Sequence, residues 1–197
     1  MSEHEGWATP GPAGLVALAM ACFGFYAVLS GTVTKDAAPI LGIWLIGGFV
    51  VQIVVALVEL KGGHTTGGNV FLFFSAFFML VGGLENVFKY YASIYGWKID
   101  ATLDGWLWLP LLISLILWTF AYLKESSAIM SLVVVLLDVA VFFITFMDMG
   151  KLGHQYAPIA AYFLLVAGVG ALWVAAAGIV NTAFGKAVLP LPGPFLK

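Results

Sequence analysis

The chain has 197 residues, of which 62% are hydrophobic and only 9% charged, with a formal net charge of −2 and a mean hydropathy of +1.06. A water-soluble domain carries about 25% charged residues, so this composition excludes a soluble catalytic domain, and no basic patch offers itself to nucleic acid. Cys22 is the only cysteine, which excludes disulfide frameworks and cysteine-based metal sites.

Six apolar runs take up nearly the whole chain, at 13–33, 39–60, 69–87, 103–123, 128–147 and 157–180. About 20 apolar residues in a helix cross the ~30 Å hydrocarbon layer of a bilayer. The sequence therefore predicts an all-α membrane protein, a bundle of six transmembrane helices. Residues 1–12 form a tail ending in a proline-rich helix start, 13–180 the six-helix domain, and 181–197 a second tail.

Taken in order, the first run follows the acidic tail Ser2-Glu3-His4-Glu5, with no Lys or Arg before it. A secretory signal has a basic start and a small-residue cleavage site, so this run reads as a retained helix. It opens on Thr9-Pro10-Gly11-Pro12-Ala13-Gly14-Leu15, a candidate N-cap, two prolines and a glycine. Proline in the first turn loses no helical hydrogen bond, and the free amides there carry partial positive charge. Such an end suits a small anion; simple helix initiation explains the same residues.

Thr34-Lys35-Asp36 and Pro39 separate the first two runs, and Lys61-Gly62-Gly63-His64 makes a tight turn after the second. The connection from about Phe88 to Asp104 holds Lys89, Tyr90, Tyr91, Tyr95, Trp97, Lys98 and Asp100. It reads as an interfacial segment, because Tyr and Trp favour the headgroup layer. Lys124-Glu125-Ser126-Ser127 and Lys151-Leu152-Gly153-His154 make the last two turns. Six spans put both termini on one side of the membrane. Lys61, Lys124, Lys186 and Lys197 fall on that side and Lys35, Lys89, Lys98 and Lys151 on the other, so charge bias does not orient the bundle.

Small residues recur at Ala167, Ala171 and Ala175, with Gly170 and Gly178 close by, and as Gly47-Gly48 and Gly82-Gly83. Close backbone approach over small residues drives much of helix packing in lipid; a pore wall of small residues is the alternative. Polar residues inside the spans are few. Gln52 sits near the middle of the second span and Asp138 near the middle of the fifth, while Glu59, Glu85 and Asp148 lie near span ends. An ionisable group at the bilayer centre costs about 2.5–3.5 kcal/mol on insertion scales, so Asp138 needs a partner, a proton or a wet cavity. Asp138 is a candidate proton or polar relay, with Glu59 nearer water, or else an interhelical tie. Gln52 reads first as an interhelical hydrogen bond. His64 and His154 are loop histidines without metal-ligand spacing, and no metal or cofactor is expected.

The opening Thr9-to-Leu15 stretch resembles a diverged copy of the Asn-Pro-Ala-Pro-Leu-Gly-Leu signature of the acetate uptake transporter family. Gly47-Gly48, Gln52, Glu59 and Lys61-Gly62-Gly63-His64-Thr65-Thr66-Gly67 resemble the family's Gly-Gly…Gln…Glu…Lys-x-Gly-Asn-Thr-x-Gly passage, and Phe71 to Phe78 its aromatic run. Asn181, Phe184-Gly185-Lys186 and Val188-Leu189-Pro190 resemble its closing Asn…Phe-Gly-Arg…Leu-Pro. The resemblance runs from about Thr9 to Pro192. It implies a homo-hexamer of six-helix protomers in the inner or plasma membrane, each with its own pathway. The cargo it implies is acetate and related small monocarboxylates, in some members also succinate, moved through a channel or by proton symport.

On the same resemblance, Thr9, Pro10, Pro12, Gly14, Leu15 and Gln52 are the binding positions along the pathway, and Leu18, Phe74 and Leu136 form its constriction. Leu18 and Phe74 stand where the family pattern has Phe and Tyr, so a hydroxyl is missing from the neck. Thr9 replaces the motif's opening Asn. A hexameric channel for a small neutral solute such as urea or an amide is the alternative function, and a membrane scaffold or sensor without transport is a third. No nucleophile–base pair or metal spacing supports an enzyme.

Overall fold

The structure, a computed structural model, describes residues 7–196; the acidic tail Ser2-Glu3-His4-Glu5 and Lys197 lie outside the described residues. Within them every regular element is a helix. In chain order these are α1 (Gly11–Leu29), α2 (Ala38–Lys61), α3 (Thr65–Phe73), a π-helical stretch (Phe74–Val81), α4 (Gly82–Tyr95), α5 (Thr102–Glu125), α6 (Ala128–Asp148) and α7 (Ala157–Phe184), with single 3-10 turns leading into α2 and α7. Because α3, the π stretch and α4 run on without a break, six helical spans are long and apolar enough to cross a membrane. The chain is a multi-pass membrane protein.

Two boundaries differ from the sequence reading. The third span runs from Thr65 to Tyr95, so the residues read as an interfacial connection from Phe88 onward continue the helix for two more turns. Lys89 reaches back to Glu85 one turn earlier (3.6 Å), Tyr91 stacks on Tyr95, and the helix stops only where Gly96 adopts φ +68°. That left-handed conformation costs glycine almost nothing and ends the helix cleanly. The sixth span likewise extends to Phe184, taking in Asn181.

Beyond α7 the chain is held as a strap. Asn181 Oδ1 accepts from the amides of Val188 and Leu189, each at 2.8 Å, and Trp173 Nε1 donates to the Pro190 carbonyl at 3.0 Å. The carbonyls of Pro192 and Gly193 take the first amide of α6, Ala128 N, at 3.0 and 3.1 Å, and Leu196 N donates to Leu123 O at 2.9 Å. Helix ends leave unsatisfied amides and carbonyls; here the strap satisfies those of the α5–α6 turn.

Small residues set the helix spacing. Ala167, Ala171 and Ala175 are buried along α7, and a Cβ on Gly168 would stand 3.0 Å from both Cys22 Cβ and the Phe23 ring of α1. A Cβ on Gly42 of α2 would meet the Gly83 carbonyl of α4 at 2.5 Å. Backbone-to-backbone contact of this kind tolerates no side chain and replaces the hydrophobic drive that lipid does not supply. By contrast α5 packs mainly on α6 and only lightly on α3. Pro110, inside α5, supplies no amide to the helix ladder. It faces a lateral crevice of about 410 Å³ between α5 and the π stretch, lined by Phe73, Phe77, Trp108 and Leu111 among others.

Candidate functional site

A wide vestibule and a small inner cavity lie within the bundle. On the side of the α1–α2, α4–α5 and α6–α7 connections lies a vestibule of about 780 Å³. Its polar wall is built by Glu85, Lys89, Asp148 and His154, and its apolar depth by Phe25 and Trp108. Lys89 is tied to α5 through an ion pair with Asp104 and along α4 to Glu85 at 3.6 Å. One ammonium thus faces carboxylates on both sides.

The vestibule ends on a cluster of tilted and edge-on rings. Phe25 of α1 and Trp108 of α5 lie 5.4 and 5.9 Å from Phe78, centroid to centroid, and Phe78 lies 5.7 Å from Phe74. Phe74 and Phe78 are both buried and both belong to the π-helical stretch. A π turn carries five residues per hydrogen-bonded ring in place of four, which re-aims successive side chains, and such turns gather at functional sites. Here they direct two phenyl rings from one span into the bundle.

Behind the rings is a small inner cavity with about 30 Å³ accessible to the centre of a water molecule. Leu15 and Leu18 of α1, Gln52 of α2, Val70, Phe71 and Phe74 of the third span, Leu115 and Tyr122 of α5, and Met130, Val134 and Leu137 of α6 line it. A cavity of ~10–15 Å³ by this measure holds one water, so the inner cavity admits one or two small groups. It is apolar except for the Gln52 amide and the Tyr122 phenol.

Two of the three residues expected at a constriction lie on the wall of one cavity. Leu18 and Phe74 line the cavity together, but the residue of α6 beside them is Leu137. Leu136 is half-buried and does not line this cavity. One residue is ~100° of helix rotation, enough to move a side chain from the cavity wall to the next interface. Motif-to-motif counting locates the turn of α6 without resolving that angle.

Of the binding positions, Gln52 is buried, and its Nε2 donates to the Gly14 carbonyl at 3.4 Å. Gly14 is where α1 crosses α2 and α3: a Cβ there would meet Phe71 at 2.7 Å and Val55 at 2.9 Å. Leu15 lines the cavity. Pro10 accepts the amides of Ala13 and Gly14 at 3.0 and 3.3 Å, and Pro12 packs where a Gly178 Cβ would stand 3.1 Å away. These prolines start the helix and seat it on α7, outside the cavity wall.

Thr9 and Glu59 meet at the opposite mouth. The Thr9 hydroxyl donates to Glu59 Oε1 at 2.8 Å and accepts the Gly11 amide at 3.1 Å. Glu59 Oε2 pairs with His64 Nδ1 at 2.8 Å, and Lys61 Nζ sits 4.7 Å over the Trp7 ring. Asp138 lies apart from both mouths, between α5 and α6. Thr119 shares its hydroxyl proton between Leu115 O (2.9 Å) and Asp138 Oδ2 (2.7 Å), and Asp138 Oδ1 has no partner among the described residues.

Sequence reasoning missed Tyr122, Phe78 and Leu137. Tyr122 carried a signal. It follows Leu115 by seven residues and Thr119 by three, which places two hydroxyls on one face of an otherwise apolar helix. No sequence pattern announces the π turn that brings in Phe78.

A family model described as the GPR1/FUN34/yaaH family matches residues 1–193. Among solved structures, that of the bacterial acetate channel SatP aligns with a TM-score of 0.80 at 23% identity, covering 94% of this chain and 99% of that one. No curated protein matches the chain by sequence.

Proposed function

The chain belongs to the GPR1/FUN34/yaaH family, and from that premise we propose that it is a membrane channel or transporter for acetate and related small monocarboxylates. One observation carries the reading. Phe25 and Trp108 line the vestibule and pack on Phe78, which packs on Phe74, a wall of the inner cavity, so the two cavities lie one behind the other with only aromatic rings between them. An apolar neck opposes ions, because a charge entering it sheds water and receives no replacement hydrogen bonds. A small permeant whose charge is masked or absent passes more easily, and a neck this narrow disfavours long acids.

In this reading Thr9, Gly14, Leu15 and Gln52 shape the pathway from the Thr9–Glu59 mouth to the cavity. Pro10 and Pro12 hold α1 in place, and Leu18, Phe74 and Leu137 form the constriction. Asp138 serves as an interhelical tie through Thr119 rather than as a relay, because it lines neither mouth nor cavity. Asp138→Asn should then lower thermal stability and leave the pH profile of flux unchanged; a shifted profile would restore the relay. We further propose that the protein sits in the cell's inner or plasma membrane as a homo-hexamer, which a detergent-corrected mass tests.

Purified protein in liposomes should raise acetate flux above protein-free vesicles, and Leu18→Phe together with Phe74→Tyr should change acid selectivity. A neutral-solute channel is the second reading, favoured by a cavity with only one amide and one phenol among apolar walls. Urea flux exceeding acetate flux would establish it instead.

A further inference from the structure

The lateral crevice between the π stretch and α5 stands outside the proposed pathway. Phe73, Phe77 and Val81 line it from the third span, and Leu107 and Pro110 from α5. Phe77, Val81 and Leu107 are exposed, so in a membrane the crevice opens to the bilayer. The gap exists because α5 packs mainly on α6 and only lightly on α3. Its volume is about 410 Å³, inside the range of about 300–1,000 Å³ typical of sites that hold a discrete ligand.

Length and charge together say what fills it. From Phe73 to Glu85 the third span rises ~18 Å, at ~1.5 Å per residue. That is a little more than one leaflet of a ~30 Å hydrocarbon layer. Spread over this length, the volume admits a single extended chain but not another helix, which is ~10–12 Å across. At its polar end the crevice is lined by two carboxylates, Glu85 and Asp104. Lys89 pairs with Asp104 and stands 3.6 Å from Glu85, beyond the ~3.2 Å reach of a hydrogen bond. Glu85 therefore keeps acceptor sites for a second cationic donor. A primary ammonium brings that charge with three N–H groups. A trimethylated ammonium brings the charge alone, and an anionic headgroup is repelled.

We propose that the crevice is a lipid site, in which one acyl chain lies along Phe73 to Val81 and a primary-ammonium headgroup pairs with Glu85. Trp108 lines both the crevice and the vestibule and packs edge-on against Phe78 at 5.9 Å. The bound chain thus wedges α5 against the third span and supports the ring cluster from the lipid side. This inference needs only that the chain spans a membrane and is independent of its cargo.

The test uses the whole protein, stripped of lipid in detergent and reloaded with dioleoyl phosphatidylethanolamine, phosphatidylcholine or phosphatidylglycerol. Native mass spectrometry counts bound lipid, and thermal melting follows stability. The expected result is one ethanolamine lipid per chain, retained at least tenfold better than the glycerol lipid, with a melting temperature raised on binding. Leu107→Trp, at a position 64% exposed, fills the crevice without disturbing the core and should lower retention at least tenfold. Glu85→Gln should keep chain binding and erase the headgroup preference. Equal retention of the three lipids by the unaltered protein, or unchanged retention in a folded Leu107→Trp, would overturn the proposal. So would a lipid-free protein that melts no lower than the loaded one, which would make a second copy of the chain the occupant.

Discussion

The two ends of the helix bundle are tied by different kinds of interaction. At the vestibule, helices α4 and α5 are tied by charge, with Lys89 of one paired to Asp104 of the other and backed by Glu85. At the opposite mouth the ties are hydrogen bonds running through one carboxylate, from Thr9 to Glu59 to His64, flanked by Thr66 donating to Glu125 at 2.7 Å. The second mouth is also braced by the strap of residues after α7, which the vestibule lacks. At the vestibule only the lysine end of the pair reaches water, Lys89 being 36% exposed and Asp104 13%. The strapped mouth instead has its backbone groups satisfied by other backbone, which leaves it less room to move.

The largest test removes the neck that both mouths serve. Leu137→Ala empties a buried position on the cavity wall and should cost about 2–5 kcal/mol by denaturation in detergent, while admitting longer acids. Leu136→Ala, on a half-buried residue off the cavity, should cost less and leave the size limit unchanged. Equal effects on selectivity would return Leu136 to the constriction.

Next in size is the charged mouth. Lys89→Met leaves Asp104 and Glu85 without their counterion and should lower stability by about 1.5–3 kcal/mol, the range for hydrogen bonds to charged groups. The loss should shrink with added salt, because the Lys89 side chain is 36% exposed and its charge is screened from the water side. A salt-independent loss would mean that Lys89 acts through packing.

At the strapped mouth, Thr9→Val removes one hydroxyl between Glu59 and the first amide of α1. Melting curves should show a loss of about 0.5–1.5 kcal/mol with little salt dependence, in contrast to Lys89→Met. Equal salt responses would erase the distinction between the mouths.

The smallest effect lies in the α4–α5 connection, where Asp100 Oδ1 accepts from the Thr102 hydroxyl and the Thr102 amide at 3.1 Å. These bonds, the hydroxyl's first, hold the exposed Asp100 carboxyl below its usual range. A lowered native value means the carboxylate's contribution is present above the unfolded-state pKa of about 3.9 and is lost as pH falls through the native value. Asp100→Asn should therefore slightly lower stability at neutral pH and remove its acid-range dependence. Acid-dependent melting identical in the two proteins would show that the bonds carry no energy.

Much of this molecule was legible in one dimension. A bilayer-length apolar run admits only one backbone solution, a helix whose amides are satisfied within the segment, so six spans, their order and most of their limits follow from hydrophobicity alone. Gln52, Leu18 and Phe74 fall on one cavity wall and Gly14 beside Gln52, because each local motif keeps its register along its own helix. The stripe of alanines in α7 was legible as a packing face for the same reason.

What only the tertiary structure decided is direction and long-range pairing. Whether Leu136 or Leu137 faces the cavity depends on how α6 is rotated against α5, which the packing of all neighbours sets together. The π stretch arises inside an unbroken apolar run, where nothing in residue type marks the extra residue per turn. Lys89 finds Asp104 across a connection, Tyr122 joins Gln52 from α5 and α2, and Asn181 gathers a strap that hydrophobicity reads as a tail. Hydrophobic length commits each segment to the membrane without regard to its neighbours; side-chain direction and partner choice are settled only when the six helices pack and every buried polar group seeks its complement.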